Sequence, residues 1–315
     1  MKKIATILLG AWLALNVSFG QNPAPKPLRG TVSVSGAWAL YPMVLKWSEE
    51  FRKVHPAVII DVQAGGAGKG MTDALSGMAD FGMVSRDIHS EEAAKGAVGV
   101  AVTKDAVIAT ANAKNPFLVQ VLKRGVTRQQ FIDIWITGKA KTWEQLFGQT
   151  GTSEIRVFTR SDACGAGETW AAYFGKKQED LEGIGVYGDP GLADAILRAP
   201  LGIGYNNVNY AYDAKTLRPV NGLAVVPIDI DGNGTIDDRE NIYATRDDLT
   251  RAIAAGIYPS PPARELFLVS KGRPANPVAR EFLRWILTDG QKYVSETGYI
   301  PLTQDRLKAG LDRIK

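Results

Sequence analysis

The chain has 315 residues, of which 45% are hydrophobic and 22% are charged. This is the composition of a folded protein rather than a disordered one, and the length favours two lobes over one ordinary domain. The formal net charge is only +4, and the basic residues form no stripe with interleaved aromatic residues, which excludes a typical nucleic-acid-binding surface.

The first twenty residues have the pattern of a secretion signal. Two lysines precede the apolar run 4–15, and small residues at 18–20 predict cleavage after Gly20; the alternative is a retained interfacial anchor. The apolar run is too short to span a membrane. Cys164 is the only cysteine, so the sequence has no lipoprotein cysteine near the cut and no internal disulfide. We expect a signal peptide at 1–20, a Pro-rich flexible leader at 21–30, and a periplasmic monomer.

Short β-type runs and helical runs then alternate, which predicts an α/β fold with parallel strands covered by helices. The predicted strands are 31–35, 58–62, 81–84, 98–102, 106–111, 155–159, 202–205, 223–228 and 265–271. The predicted helices are 41–55, 70–75, 127–136, 142–147, one starting near 168, 247–255, 277–288 and 291–297. The chain has no internal repeat.

Three strand-to-helix turns rich in small residues lie at 36–41, 65–70 and 160–167. Each turn places unpaired backbone N–H groups at the start of a helix, where partial positive charge favours anions. Arg86 and Arg160 follow predicted strands, and Lys69 lies within the second turn. One glycine turn is an ordinary connection, but three of them with two arginines favour an anion site. Lys69 is followed by Gly70 instead of Ser or Thr, which excludes a P-loop.

The sequence resembles the periplasmic phosphate-binding proteins of phosphate ABC transporters. The motifs that carry the resemblance are short, but their order is specific. They are Ser35-Gly36-Ala37, Tyr41-Pro42, Gly66-Ala67-Gly68, Asp80-Phe81-Gly82-Met83-Val84-Ser85-Arg86, Arg160-Ser161-Asp162, Gly202-Ile203-Gly204-Tyr205, Tyr258-Pro259, Asp289-Gly290-Gln291-Lys292 and Gly298-Tyr299-Ile300-Pro301-Leu302.

The resemblance implies a type II, two-lobed periplasmic-binding-protein-like fold. Lobe 1 would comprise 31–105 and 268–315, and lobe 2 would comprise 106–267, with hinge closure over a ligand. It implies an extracytoplasmic protein without enzymatic activity. Such a protein captures a small anion, here expected to be phosphate, and passes it to the membrane permease of an ABC transporter.

The expected ligand-binding residues follow from the three turns and from the resemblance. They are Ala39, Leu40, Tyr41, Gly66, Ala67, Gly68, Lys69, Ser85, Arg86, Arg160, Asp162, Cys164, Gly165 and Ala166. The sequence departs from the family where hydroxyl residues are usual, at Leu40, Ala67, Cys164 and Ala166, and has Arg86 where some members have an acid. We expect backbone N–H groups, Arg86, Arg160 and Lys69 to compensate. The ligand therefore stays open between phosphate and another anion or metabolite.

Residues 229–240 match the EF-hand calcium loop at every ligand position. The expected Ca²⁺ ligands are Asp229, Asp231, Asn233, Thr235 through its carbonyl, Asp237 and Glu240, with Gly234 at the sharp turn. The preceding segment has a strand pattern and not that of an entering helix. The sequence predicts an isolated EF-hand-like loop with a structural calcium ion, whereas the alternative is an acidic surface turn.

Two further alternatives depend on single features. Cys164 lies at a predicted helix start near Asp162 and Glu168, a setting that favours a thiolate, so an enzyme built on this cysteine is the second hypothesis. The only histidines, His55 and His89, have no motif that connects them to Cys164. The third hypothesis is an extracellular scaffold that uses the calcium loop for adhesion.

Overall fold

The computed structural model describes residues 27–315. The predicted signal peptide and residues 21–26 of the predicted leader lie outside the described residues. Across 27–315, no helix combines the length and the apolar character needed to cross a bilayer.

Helices and strands alternate through most of the chain. The strands are β1 (Gly30–Gly36), β2 (Val58–Ala64), β3 (Phe81–Val84), β4 (Ala97–Asn112), β5 (Val126–Thr127), β6 (Arg156–Arg160), β7 (Ile184–Val186), β8 (Gly202–Asn207), β9 (Leu223–Val225), β10 (Ile228–Asp229) and β11 (Ala263–Lys271). The α-helices are α1 (Tyr41–Val54), α2 (Ala67–Ser76), α3 (Ser90–Ala94), α4 (Leu118–Arg124), α5 (Arg128–Trp135), α6 (Gly165–Tyr173), α7 (Gly188–Leu197), α8 (Val208–Ala211), α9 (Arg246–Ala254), α10 (Pro277–Leu287) and α11 (Gln304–Ile314). Short 3-10 helices occupy Glu144–Phe147, Gln178–Asp180 and Asp289–Tyr293.

One long sheet runs through both halves of the molecule in the order β2-β1-β3-β11-β4-β8-β6-β7, with β9 also beside β4. The outer pairs β1–β2, β1–β3, β6–β7 and β6–β8 are parallel, as the alternation of strands and helices predicts. The central strands β11 and β4 are antiparallel to each other and to their neighbours β3 and β8. A separate pair, β5 with β10, is parallel.

The hydrophobic residues form two separate cores, one on each side of the central strands. In β4, Val100–Val102 belong to the first core and Ala106–Ala111 to the second. In β11, Ala263 belongs to the second core and Leu266 to the first. The protein is therefore a two-lobed α/β structure whose lobes are joined by β4 and β11. The return crossing lies at 264–265, slightly earlier than the expected boundary at 267–268.

Some elements differ from the sequence-based expectation. The two strands predicted at 98–102 and 106–111 are one strand, β4, because β11 pairs along both halves, including Arg264 with Asp105. The helix predicted at 291–297 is a short 3-10 helix that ends at Tyr293. The sequence analysis did not predict helices α3, α4, α7, α8 and α11. Of these, α11 does have an amphipathic pattern, with Leu307 and Ile314 on its buried face.

Candidate ligand-binding site

The candidate site is a small pocket where the two lobes meet. The sheet places it there because β1, β2, β3, β6 and β8 all end at this edge, as the carboxyl ends of strands do at the ligand sites of α/β proteins. The lining residues are Ala37, Trp38, Ala39, Gly66, Ala67, Ser85, Arg160, Cys164, Gly165, Ala166, Asp189 and Asn207.

The lobes touch each other directly beside the pocket. The N–H of Gly68 in lobe 1 donates to the carbonyl of Ala163 in lobe 2 over 3.1 Å. Gly66 has a φ of +88°, and a Cβ at this position would lie 2.9 Å from both Ala163 O and Asp162 Oδ2. Glycine is therefore required here for the backbone conformation and for the close approach of the lobes. The structure is a closed form.

Four backbone N–H groups are left free at this pocket. Among the described residues, the amides of Ala39, Ala67, Gly165 and Ala166 have no hydrogen-bond acceptor. Ala67 begins α2, and Gly165 and Ala166 begin α6, so these donors carry the positive ends of two helix dipoles. Buried N–H groups are nearly always paired, so donors that converge on one pocket indicate a place for an acceptor-rich ligand.

Arg160 is the charged group of the pocket, and its side chain is only 1% exposed. It donates from Nε and Nη2 to Asp162, over 2.7 and 2.5 Å, and from Nη1 to Asp189 over 2.5 Å. Burial lowers the pKa of Arg160, but the two carboxylates outweigh burial and raise it, so the guanidinium stays charged. A guanidinium has five N–H donors, so those not used by the carboxylates remain available to a ligand.

Two further side chains add donors to the pocket. Trp38 Nε1 is buried and has no hydrogen-bond partner among the described residues. Ser85, which follows β3, is 2% exposed. Its hydroxyl lies close enough to α6 that a Cβ at Gly165 would come within 2.2 Å of it. The pocket thus combines backbone, indole, hydroxyl and guanidinium donors.

A second buried ionic group lies behind the pocket. Arg264 of β11 donates from Nη2 to Asn207, and its Nη2 lies 3.8 Å from Asp105 Oδ2. Burial raises the pKa of Asp105 to about 7, and the attraction of Arg264 offsets this only in part. Burial likewise lowers the pKa of Arg264. Both residues lie on the strands that cross between the lobes, so this pair sits at the hinge.

Arg86 does not line the pocket, contrary to the sequence-based expectation. It lies at the mouth of the cleft and donates to Glu92 of its own lobe over 2.8 and 2.6 Å. Its Nε lies 3.0 Å from Glu168 Oε2 of lobe 2, and His89 Nε2 lies 2.7 Å from Glu168 Oε1. Two carboxylates therefore hold the guanidinium between the lobes.

Lys69 also turns away from the pocket. Its Nζ donates to Ser35 Oγ over 2.7 Å and pairs with Asp73, four residues along α2. Leu40 is fully buried in the core of lobe 1 and offers no polar group. Lys69 does not replace a missing hydroxyl donor, because its Nζ is bound within lobe 1, and Leu40 has no donor to offer.

Three other expected residues lie near the pocket without lining it. Tyr41 packs edge-on against Trp38, with ring centroids 6.3 Å apart. Gly68 binds the opposite lobe through its N–H, as described above. Asp162 orients Arg160 and also accepts from the N–H of Gly188 over 3.2 Å. The structure therefore places eight of the fourteen expected residues in the pocket lining and the other six around it.

Cys164 lines the pocket as the N-cap of α6. Its Sγ accepts from the N–H of Gly167 over 3.2 Å. Burial raises the pKa of the thiol to about 12, although Arg160 opposes this. A neutral thiol is a poor nucleophile, so this environment disfavours the hypothesis of a Cys164-based enzyme.

Sequence reasoning missed Trp38, Asp189 and Asn207. Trp38 lies within the first predicted turn, at 36–41, but is not among the expected ligand-binding residues. Asp189 lies in the first turn of α7, a helix that was not predicted, although Gly188-Asp189-Pro190 is a typical helix start. Asn207 ends β8, and its N–H donates to Asp189 Oδ1 over 3.0 Å. Each of these residues enters the site through tertiary contacts.

The calcium-loop residues lie outside this pocket, in lobe 2. Ligand oxygens of Asp229, Asp231 and Glu240 lie within 4.8 Å of one another, whereas Asp237 is not part of that group. As predicted from the sequence, a strand (β10) enters this loop where an EF-hand has a helix.

A family model described as the PBP superfamily domain matches residues 21–290. The chain belongs to the PBP superfamily. The resemblance that the motifs indicated is thereby confirmed at the level of this superfamily, and so is the two-lobed fold.

Similar members of the PBP superfamily are known from sequence and structure. The phosphate-binding protein PstS of Bacillus subtilis is 27% identical over 279 residues, which cover 87% of this chain and 81% of the relative. The phosphate-binding protein PstS of Staphylococcus epidermidis is 26% identical over 329 residues, which cover 100% of this chain and 94% of the relative. A Clostridium perfringens structure, described as a phosphate ABC transporter substrate-binding protein with bound phosphate, superposes with a TM-score of 0.71 at 23% identity. The match covers 87% of this chain and 100% of that one.

Proposed function

We propose that this protein is an extracytoplasmic solute-binding protein that captures a small inorganic oxyanion, with phosphate as the expected ligand, and delivers it to the membrane permease of an ABC transporter. The observation that carries the proposal is the convergence of four free backbone N–H groups and Arg160 on one small pocket between two lobes. The phosphate-binding relatives support the choice of anion. The secretion signal predicted at 1–20 supports export.

The donors suit a ligand whose whole surface accepts hydrogen bonds. A buried oxyanion loses its water shell and must be hydrogen-bonded on all sides. The amides of α2 and α6, the indole of Trp38, the hydroxyl of Ser85 and the free N–H groups of Arg160 together offer donors from both lobes. Because both lobes contribute, the ligand stabilises the closed form, which is the form that a permease would recognise.

The carboxylate of Asp189 provides a means of discrimination. It lines the pocket and is fully buried. Phosphate retains a proton near neutral pH and can donate it to a carboxylate, whereas sulfate has no proton to donate and is repelled by the negative charge. Asp162 and Asp189 together offset the charge of Arg160, so the pocket holds an anion mainly through neutral donors. We therefore expect preference for phosphate over sulfate.

The direct test is a calorimetric titration of the mature protein with phosphate, and with sulfate as the competing oxyanion. We expect one phosphate per chain and little heat from sulfate. Arg160→Ala should abolish the phosphate heat, and Arg156→Ala, at the exposed start of the same strand β6, is the matched control and should bind normally. A folded wild-type protein that binds sulfate but not phosphate would contradict the phosphate assignment.

A milder variant separates loss of binding from loss of folding. Removing Arg160 leaves two buried carboxylates without a cationic partner, which costs about 3–5 kcal/mol of folding stability. Ser85→Ala removes one neutral donor and leaves the ionic group intact. We expect it to weaken phosphate binding by roughly tenfold, the equivalent of about 1.4 kcal/mol, at unchanged thermal stability.

A different small anion is the second candidate, because the family's usual hydroxyl donors are absent from this pocket. Ala67, Cys164 and Ala166 occupy three of those positions, and Cys164 carries a neutral thiol. The direct contact between the lobes beside the pocket, from the N–H of Gly68 to the carbonyl of Ala163 over 3.1 Å, favours small inorganic oxyanions over nucleotides or sugars. A thermal-shift screen of such anions distinguishes this candidate from phosphate, because the true ligand raises the midpoint of unfolding most at a given concentration.

A further inference from the structure

The loop 229–240 of lobe 2 has a feature that the anion pocket does not explain. Glu240 is 5% exposed, and its Oε2 is buried without a hydrogen-bond partner among the described residues. Asp229 is 3% exposed. Of the salt bridges found within 27–315, the one in this loop joins Arg239 to Asp237 over 3.8 Å, and none reaches Asp229 or Glu240. Buried carboxylates without a cation are costly, and Asp229 and Glu240 have no cationic side chain as a partner among the described residues.

Three carboxylates of this loop lie close together. Oxygens of Asp229, Asp231 and Glu240 come within 4.8 Å of one another, with one oxygen from each residue. Glu240 Oε1 accepts from the N–H of Ile230 over 2.7 Å, which brings the last residue of the loop back to its beginning. Three negative groups this close repel each other unless a cation lies between them.

We propose that this loop binds one Ca²⁺ ion, which joins the beginning and end of the loop and stabilises lobe 2. The chemistry favours Ca²⁺ over Mg²⁺, because the loop offers hard oxygen ligands at the spacing of an EF-hand and ends in a glutamate that can supply two oxygens. Glu240 Oε2, which has no other partner, is the oxygen available for the second bond. Asp237 lies outside the close group, so it would bind through water, as this loop position often does.

The surrounding contacts show what the ion would stabilise. The N–H of Ile236, in the middle of the loop, donates to the carbonyl of Lys123 at the end of α4 over 2.9 Å. Gly125 leaves room for this contact, because a Cβ there would lie 2.5 Å from Ile236 Cδ1. Strand β10 pairs with β5, directly after the same corner. One side of the loop is therefore anchored to the α4–β5 corner.

The other side of the loop leads toward lobe 1. Tyr243 accepts at its hydroxyl from the N–H of Ile228 over 3.1 Å, next to the first ligand residue. Arg246, which begins α9, is buried and donates to the carbonyl of Glu296 over 3.0 Å. A bound ion would hold the segment between Glu240 and Arg246 in register with both contacts. The expected role is structural, and it does not depend on the identity of the anion.

The test uses the mature chain stripped with EGTA. Calorimetric titration with CaCl₂ should show one ion per chain, with weaker binding of MgCl₂. Near-UV circular dichroism should show a midpoint of unfolding roughly 5 °C higher at a hundredfold excess of Ca²⁺ over the dissociation constant than in EGTA. Tb³⁺ luminescence, excited through nearby tyrosines such as Tyr243, provides a second readout.

Matched variants separate a bound ion from a general charge effect. Glu240→Gln and Asp231→Asn should each lose at least tenfold in Ca²⁺ affinity and lose the thermal shift. Asp238→Asn makes the same charge change at an exposed loop position that is not a ligand, and it should behave as wild type. The substitution at buried Glu240 can disturb the fold of the loop. Asp231 is exposed, so we expect Asp231→Asn to fold normally and to test calcium binding alone.

The proposal is overturned if the wild-type protein binds no Ca²⁺ up to millimolar concentration and unfolds at the same temperature in EGTA. It is equally overturned if Asp231→Asn and Glu240→Gln bind Ca²⁺ as tightly as Asp238→Asn does. Phosphate binding by the same samples is measured in a separate titration. The calcium result can therefore be interpreted even if the protein does not bind phosphate.

Discussion

The contacts of Glu168 across the cleft make the closure of the two lobes testable. Glu168 belongs to lobe 2, and the two residues that its carboxylate contacts across the cleft, Arg86 and His89, belong to lobe 1. These contacts exist only when the lobes are closed. Glu168→Gln removes the negative charge but keeps the size of the side chain. Arg86 keeps its two hydrogen bonds to Glu92, so neither lobe is left with an unpaired buried charge.

The expected effect lies between that of a surface ion pair and that of a buried one. The Arg86 side chain is 9% exposed, but that of Glu168 is 34% exposed, so water screens the pair substantially. Exposed pairs contribute about 0.2–1 kcal/mol, and hydrogen bonds to charged groups about 1.5–3 kcal/mol. We expect a loss of about 1.4 kcal/mol of closure free energy, which weakens the apparent affinity for phosphate about tenfold. Added salt should reduce the difference between variant and wild type.

Calorimetry measures the affinity, and small-angle X-ray scattering of the ligand-free protein measures the closed fraction without requiring any ligand. Glu91→Gln is the control, because Glu91 is exposed on α3, next to Glu92, and has no salt-bridge partner in lobe 2 among the described residues. The reasoning is refuted if Glu168→Gln and Glu91→Gln give the same affinity and the same radius of gyration.

Three further outcomes follow from the pocket and the hinge. Gly66→Ala should weaken phosphate binding more than a hundredfold, since its Cβ would lie 2.9 Å from Ala163 O of the other lobe. Small-angle X-ray scattering should show a larger fraction of the open form. A variant whose lobes close normally would contradict the packing argument. Asp105 has a folded-state pKa raised to about 7, so its protonated form is favoured by folding. The free energy of unfolding of wild type, relative to that of Asp105→Asn, should therefore fall by roughly 4 kcal/mol at most as pH rises from about 4 to about 7, and it should stay constant above pH 7. Urea unfolding at several pH values measures this difference. A difference that does not change with pH would show that Arg264 keeps the carboxylate ionised. Because the pKa of the Cys164 thiol is raised to about 12, Cys164 should react with Ellman's reagent at pH 8 far more slowly in the folded protein than in denaturant. Rapid labelling of the folded protein would argue for a reactive thiol.

The proposed anion site has donors that can take the place of the hydroxyl groups expected from the resemblance. Backbone N–H groups at Ala67, Gly165 and Ala166 are available regardless of side chain, because they come from helix N-termini. Trp38 adds an indole N–H that has no hydrogen-bond partner within residues 27–315. A site built mainly from the backbone tolerates changes of side chain as long as the glycine contacts between the lobes persist.

Local patterns in the sequence were sufficient for much of the fold. The apolar spacing of Val44, Trp47 and Phe51 behind Pro42 predicted α1, and these apolar residues are fully buried in the lobe 1 core. The glycine-rich turns were predicted because only short-range geometry is involved: a helix start exposes N–H groups wherever it occurs. The pairing of Lys69 with Asp73 also had a local signal, since residues four apart meet on one helix face.

Other features required the tertiary structure. Arg86 and Arg160 look alike in the sequence, as arginines that follow strands, yet only Arg160 lines the pocket. The difference comes from their partners: Asp189 is 29 residues away from Arg160, and Glu168 is 82 residues away from Arg86. Strand continuity in β4 likewise depends on pairing with β11, more than 150 residues later. Local propensity and turn chemistry act over a few residues and are visible in the sequence. The choice of partner for a buried charge, by contrast, depends on which distant segments the fold brings within hydrogen-bonding distance.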